Sequence, residues 1–443
     1  MTEKDNKKAM TTFYNLLANT VIATITNMTV WFAIIFYIYL NTRSVFATSM
    51  MSGIYLISVA FTGFWFGSLV DHHKKKSMML LSSCISLPIY IICFFIYVTA
   101  GDKAFTDINS VTMWVFIVLL LMAVLVGNIR GIALPTIIKF LVPEDKRDKA
   151  NGMAGTANGV SFLVVSVISG FLVGASGMYW VLLLAIIFTG LAIVNLWMQD
   201  VQENKIVHLD ADGQPQKIDI KGTIQAMRVV PGLLPLIFFT TFNNFLGGVF
   251  MSLMDAYGLS MVSVQMWGVI WGVLSSAFIV GGLVISKWGV GKNPVRSLFI
   301  ANLIIWAISS VFTIYPSIWP LIIGMFVYLC VMPFIEASEQ TIIQKVVPKE
   351  RLGRVFGFAQ SVEQSASPIT AFLIGPIAQF ITIPFMTNGA GVELIGDWFG
   401  TGSARGIALV FTIAGVLGLT LTLVSMSTKY YRQLAEYYLK AKG

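Results

Sequence analysis

Five ionisable residues stand inside stretches that are otherwise apolar: Arg130, Asp255, Glu336, Glu339 and Glu363. Placing charge at bilayer depth costs at least about 2.5–3.5 kcal/mol, so such residues usually mark function. Glu336, Glu339, Gln340 and Gln344 recur at spacings of three and four, which puts them on one helix face too polar for lipid. Two acids one turn apart in a water-poor site resist ionising together, and a carboxyl poised in this way can take up and release a proton. Gln360, Glu363, Gln364 and Ser367 follow helical spacing in a neighbouring stretch. Polar uncharged residues add a second stripe, Asn19, Thr20, Thr24 and Asn27, and a cluster, Thr240, Asn243 and Asn244. Such groups either contact a ligand or join helices by hydrogen bonds. Trp31, Phe242 and Phe245 offer apolar or cation-binding surface near them.

The elements that carry these residues are membrane spans. The chain is 56% hydrophobic and 11% charged, with a mean hydropathy of +0.80, far from the mix of a soluble domain. A spanning helix needs roughly 20 mostly apolar residues. Twelve such stretches occur, near 14–40, 46–70, 77–100, 110–141, 151–174, 177–198, 230–256, 262–286, 296–315, 318–346, 356–385 and 404–427. The first is too long for a secretory apolar core and lacks a small-residue cleavage site, so it reads as an uncleaved span. Of 29 Lys and Arg, 25 fall in alternate segments beginning with the amino terminus. Because cytoplasmic loops retain basic residues, both termini are expected in the cytoplasm. The net charge of +8 is then a topology signal, and no nucleic-acid partner is expected.

The chain also repeats itself. Thr136-Ile137-Ile138 before Val142-Pro143 returns 205 positions later as Thr341-Ile342-Ile343 before Val347-Pro348, and Gly152 and Ala154 match Gly357 and Ala359. That offset is what a parallel duplication of a six-helix block leaves. The expected organisation is a bundle over 1–198, a cytoplasmic linker over 199–228, a second bundle over 229–428 and a cytoplasmic tail over 429–443. Used as a ruler, the repeat puts Arg130 beside position 335. Arg130 and Glu336 thus lie at nearly equal depth, about 18 Å of helix from their Val-Pro turns.

Several features carry no chemistry of their own. Cys84, Cys93 and Cys330 all fall in apolar stretches, which excludes a disulfide framework and a metal cluster. Asp210-Ala211-Asp212-Gly213 in the linker lacks the later oxygen ligands and closing Glu of a calcium loop, and the alternation around it predicts a short hairpin. The segment from Thr387 to Arg405 reads as a long Gly-rich outer loop whose Trp398-Phe399 pair rests at the membrane interface. No Gly-rich phosphate loop ending in Gly-Lys-Ser/Thr is present. The chain is therefore expected to be no enzyme, to hold no cofactor or metal, and to draw energy from an ion gradient.

Gly63, Gly67, Leu69 and Asp71, followed by Lys75 and Lys76, resemble the cytoplasmic signature of the major facilitator superfamily, with His72 in place of its Arg and Lys74 in place of its second Gly. Val142-Pro143-Glu144-Asp145 and Gly353-Arg354-Val355-Phe356 look like the drug:proton antiporter branch that contains bacterial macrolide efflux proteins and an enterobactin exporter. The resemblance implies an all-α membrane protein of 12 transmembrane helices in two pseudo-symmetric six-helix bundles, acting as a monomer in the bacterial inner membrane. It implies a central cavity lined by helices 1, 4, 7 and 10, where Arg130 would face Glu336. It also implies a cytoplasmic gate of Gly67, Asp71, Lys75 and Arg354, with Glu363 beside it. On this resemblance Glu336, Glu339 and Arg130 couple protons to transport, and Asn19, Thr24, Asn27, Trp31, Asn243, Asn244 and Gln340 line the cavity with them. The function it implies is proton-coupled efflux of lipophilic or cationic compounds. The alternatives are a dedicated exporter or flippase of one siderophore or lipid, with Arg130 on its anionic group, and a non-transporting receptor or immunity protein. The fifth stretch departs from the antiporter pattern: Val167-Ile168-Ser169-Gly170 and Gly174 lack its proline, while Pro368 and Gly375-Pro376 lie in the eleventh.

Overall fold

Helices account for every regular element among the described residues, because a backbone in lipid must satisfy its own polar groups. The computed structural model describes residues 3–101, 103–142, 147–199, 201, 224, 227–347 and 352–440. The first half runs α1 (Glu3–Thr42), α2 (Val45–His72), α3 (Lys75–Ala100), α4 (Val111–Gly127), α5 (Ile129–Leu141), α6 (Arg147–Ser176) and α7 (Tyr179–Met198). The second runs α8 (Leu233–Met261), α9 (Val264–Trp288), α10 (Pro294–Val311), α11 (Ile318–Val346), α12 (Leu352–Ile377), α13 (Ile383–Thr387), α14 (Ala390–Phe399), α15 (Ser403–Ser427) and α16 (Lys429–Lys440). Among the described residues ten helices are long and apolar enough to cross a bilayer, and the shorter apolar helices Val45–Val59 and Val160–Ser176 complete the twelve expected.

Two compact units share these helices. One comprises Met1–Ser44, Ser58–Gln216 and Ser263–Gly272; the other comprises Val45–Ile57, Lys217–Val262 and Val273–Gly443. Helices α2 and α9 therefore each divide between the units. The linker, with its expected hairpin and calcium-like string, lies largely outside the described residues. So do the side chains of Gly67, Asp71 and Arg354.

Breaks in the helices follow backbone chemistry. Between α4 and α5 the N–H of Asn128 turns to Leu125 O at 3.0 Å, which leaves Val124 O without its usual partner four residues on. In the eleventh stretch Pro376 ends the regular helix. A single π turn, Ala378–Thr382, follows it, and Pro384 opens α13.

The segment expected as an outer loop contains the helix α14, and Arg405 is buried rather than displayed there. Its Nε donates to Phe399 O at 2.6 Å, Nη1 to Tyr257 Oη at 3.1 Å, and Nη2 to Thr313 O at 2.8 Å and Ile314 O at 2.6 Å. One guanidinium thus ties α14, α8 and the end of α10 to α15. The expected tail is the helix α16, whose Leu434 and Tyr438 lie four residues apart and join a core with Val230, Leu233, Val295 and Val346. Gly232, at φ +82°, opens α8 where a Cβ would meet the Tyr430 carbonyl.

The glycines of the fifth stretch have a packing role in place of the missing proline. A Cβ on Gly170 would lie 2.5 Å from Val264 O, one on Gly268 would lie 2.5 Å from Ser166 O, and Gly174 meets Gln265. Small residues four apart on both α6 and α9 let the two backbones touch. Gly190 on α7, by contrast, faces open space. Gly170→Val is expected to cost roughly 1–3 kcal/mol of stability through overpacking, whereas Gly190→Val should leave the melting midpoint of detergent-solubilised protein nearly unchanged. Equal midpoints for the two variants would refute this assignment.

Candidate functional site

The second unit holds a cavity of about 390 Å³ between α8, α10, α11 and α12. Glu336 and Glu339 enter it from α11, Glu363 from α12, and Thr240, Asn243 and Asn244 from α8. Among the described residues no Lys or Arg lines it. Gln340, Gln360 and Gln364 add amides, while Ile305, Met332 and Ile335 supply apolar wall.

Its centre is a Thr hydroxyl between two carboxyls. Thr240 Oγ1 lies 3.1 Å from Glu339 Oε1 and 2.8 Å from Glu363 Oε1. The same oxygen stands 3.0 Å from Ile237 O and 3.3 Å from Leu236 O. A hydroxyl has one proton to give, so it cannot satisfy four acceptors at once. Glu339 on α11 and Glu363 on α12 thus share one hydroxyl from α8. Glu363, expected at the gate, therefore belongs to the cavity. Asn243 is fixed from both ends: its Nδ2 donates to Phe239 O at 2.7 Å, and its Oδ1 accepts from Trp306 Nε1 at 2.5 Å. Gly418 on α15 makes room for the indole, since a Cβ there would overlap it.

The first unit has a smaller polar centre around Arg130, which is 3% exposed. Arg130 Nη1 donates to Asn19 Oδ1 and Nη2 to Ser83 Oγ, each at 2.5 Å. Asn19 in turn donates to Ala192 O and Asn195 Oδ1, both at 2.9 Å. Among the described residues the partners of Arg130 are thus neutral groups of its own unit. The α4–α5 break lies one turn away and is sealed by side chains. Asn27 Nδ2 donates to Val124 O at 2.9 Å, Ser82 Oγ to Val126 O at 2.8 Å and Ser86 Oγ to Ala123 O at 3.0 Å. A Cβ on Gly127 would collide with the Asn27 amide at 2.6 Å.

Thr24 and Trp31 are half-buried on α1 and line neither cavity. Lys75 is buried at the start of α3, its Nζ 3.3 Å from His73 O, and Lys76 donates to Gln199 O. Ser82, Ser83, Ser86, Tyr90, Trp306 and Tyr328 were not anticipated. For three of these the signal exists: Ser82, Ser86 and Tyr90 repeat every four residues along an apolar stretch.

The sequence pattern of the Major Facilitator Superfamily matches residues 16–371. The chain belongs to this superfamily. Macrolide efflux protein A of Streptococcus pyogenes is 23% identical over 390 residues, covering 84% of this chain and 90% of that protein. Among solved structures, a bacterial homologue of the human lysosomal transporter Spinster aligns with TM-score 0.67 at 13% identity, covering 98% of this chain and 99% of its own. A bacterial homologue of the iron transporter ferroportin aligns with TM-score 0.67 at 11% identity, covering 95% and 99%. The twelve-helix major facilitator fold is thereby established, and the superfamily makes this chain a multi-pass membrane transporter rather than an enzyme.

Asn27→Leu keeps the size but removes the donor that seals Val124 O. It is expected to cost about 1–3 kcal/mol of stability, read as a lowered melting midpoint. Asn15→Leu on the same helix, which loses only an exposed bond to the Gln199 side chain, serves as the control. A midpoint unchanged by Asn27→Leu would remove this account of the break.

Proposed function

We propose that the chain is a proton-coupled exporter of lipophilic, cationic compounds, embedded in the bacterial inner membrane with both termini in the cytoplasm. The observation that carries this reading is the Glu339–Thr240–Glu363 cluster, with Glu336 beside it, in a cavity whose lining holds no base. A cavity of about 390 Å³ with apolar walls and several fixed polar groups is of the size that holds a small organic molecule.

Exchange then follows from charge. A carboxyl pair sharing one proton carries one negative charge. A second proton neutralises it, and so does a monovalent organic cation in the cavity. The two compete for one charge, because like carboxylates a few ångströms apart in a dry site do not both stay ionised. Thr240 supplies one hydrogen bond, given to whichever carboxylate lacks the proton. Protons loaded from the outer side are released inward as substrate binds, and the substrate leaves outward. The name of the streptococcal relative, a macrolide efflux protein, supports export and a lipophilic substrate. The 25 basic residues of the alternate segments support the orientation.

The test uses inside-out vesicles with an acidified lumen and a panel of lipophilic cations, anionic amphiphiles and neutral macrolides. Wild-type protein should release protons on adding cations. Glu339→Gln and Glu363→Gln should each lower that release at least roughly ten-fold, the order of effect of losing an essential proton-transfer group. Cation binding by the purified protein should weaken but persist. Full proton release in the Glu339→Gln, Glu363→Gln double variant would defeat the proposal.

A further inference from the structure

The polar centre of the first unit encloses a separate cavity of about 20 Å³, lined by Arg130, Ser83, Thr189, Tyr90 and Asn27 among others. We propose that it is a binding site for a single halide ion, chloride under ordinary conditions, which serves as the counter-ion of Arg130. This rests on the geometry of the first unit alone and is independent of the proton-coupled reading.

The argument begins with charge. Arg130 is buried, and its partners among the described residues are the neutral Asn19 and Ser83. No carboxylate stands among the residues that line the cavity. A guanidinium has five N–H donors and no accessible neutral state, so a buried one is stabilised by an anion. Unspent protons converge there with it. Ser83 Oγ accepts from Arg130 and keeps its own hydrogen to donate. The Tyr90 hydroxyl reaches Asn27 Oδ1 only at 3.4 Å, a weak bond that another acceptor can displace. Thr189, 7% exposed, adds a third hydroxyl.

Size then selects the ligand. With about 20 Å³ of free space the cavity is on the scale of a single water or a single monatomic ion. A water fits sterically but leaves the guanidinium charge uncompensated. The site is also tied to the fold: Asn27 and Ser86, which seal the α4–α5 break, form part of its wall. An ion bound here joins α1, α3, α5 and α7.

The experiment measures thermal unfolding of the purified full chain at constant ionic strength while gluconate is replaced by chloride or bromide, together with equilibrium binding of radioactive chloride. Wild type should show a saturable rise in midpoint with either halide, no rise with sulfate, and one chloride bound per chain. Ser83→Ala should raise the half-saturating halide concentration roughly ten-fold, the usual consequence of losing a hydrogen bond to a charged group. Arg130→Gln should abolish binding; should that variant fail to fold, the Ser83→Ala titration decides. Identical wild-type midpoints in gluconate and chloride with no retained chloride would overturn the proposal in favour of a bound water. Halide stabilisation unchanged in both variants would overturn it by placing the ion elsewhere.

Discussion

A polar group buried in a membrane protein must find its partner within the protein, and this single demand organises the chain around a few dense polar centres. Arg405 shows it most plainly. Its guanidinium meets three backbone carbonyls and one phenol, drawn from the ends of separate helices. Those carbonyls lie beyond regular helical turns, where no backbone N–H is aligned to receive them. The α4–α5 break follows the same rule in reverse. There carbonyls of Ala123, Val124 and Val126 accept from Ser86, Asn27 and Ser82, and at Val124 the Asn27 amide replaces the backbone donor that Asn128 withdraws.

The duplicated halves answer this demand with opposite charge. Each builds its polar centre from the corresponding helices of the repeat: the first (Asn19 and Asn27 against Thr240 and Asn243), the third (Ser83 and Ser86 against Asn302 and Trp306) and the fourth (Arg130 against Glu336 and Glu339). A scaffold that satisfies polar groups at one depth can hold either sign there. The first unit spends its space on a cation enclosed by neutral groups. The second keeps carboxyls around a far larger cavity, 390 Å³ against 20 Å³.

Helix face was legible in the sequence; the neighbour across that face was not. The repeat placed Arg130 and Glu336 at one level, and helical spacing put Glu336, Glu339 and Gln340 on one face, as the cavity lining has it. Periodicity says nothing about rotation relative to other helices, so the bonds of Arg130 to Asn19 and Ser83 within its own unit were not legible. The resemblance set Glu363 beside the gate. The face it shares with Gln360 and Gln364 turns toward α8 and Thr240. The segment 387–405 read as loop because glycines dominate it, yet the ten residues of α14 form a helix, held by the buried Arg405. The role of Gly170 and Gly174 was hidden for a different reason, since a close helix crossing depends on the partner's glycines as well.

The arrangement of the second unit bears on how coupling can be local. Glu339, Thr240, Glu363 and the space available to a substrate belong to one cavity in one unit. On the proposed mechanism, proton and organic cation then interact through direct competition for a single negative charge, with no intermediary required. Competition of this kind is steep only where solvent does not screen it. The apolar residues of the wall, Ile305, Met332 and Ile335, therefore matter to coupling as much as the acids do, because they set the dielectric in which the two ligands exclude each other. A more polar wall would let proton and cation bind side by side, and the exchange would slip even with every carboxyl in place.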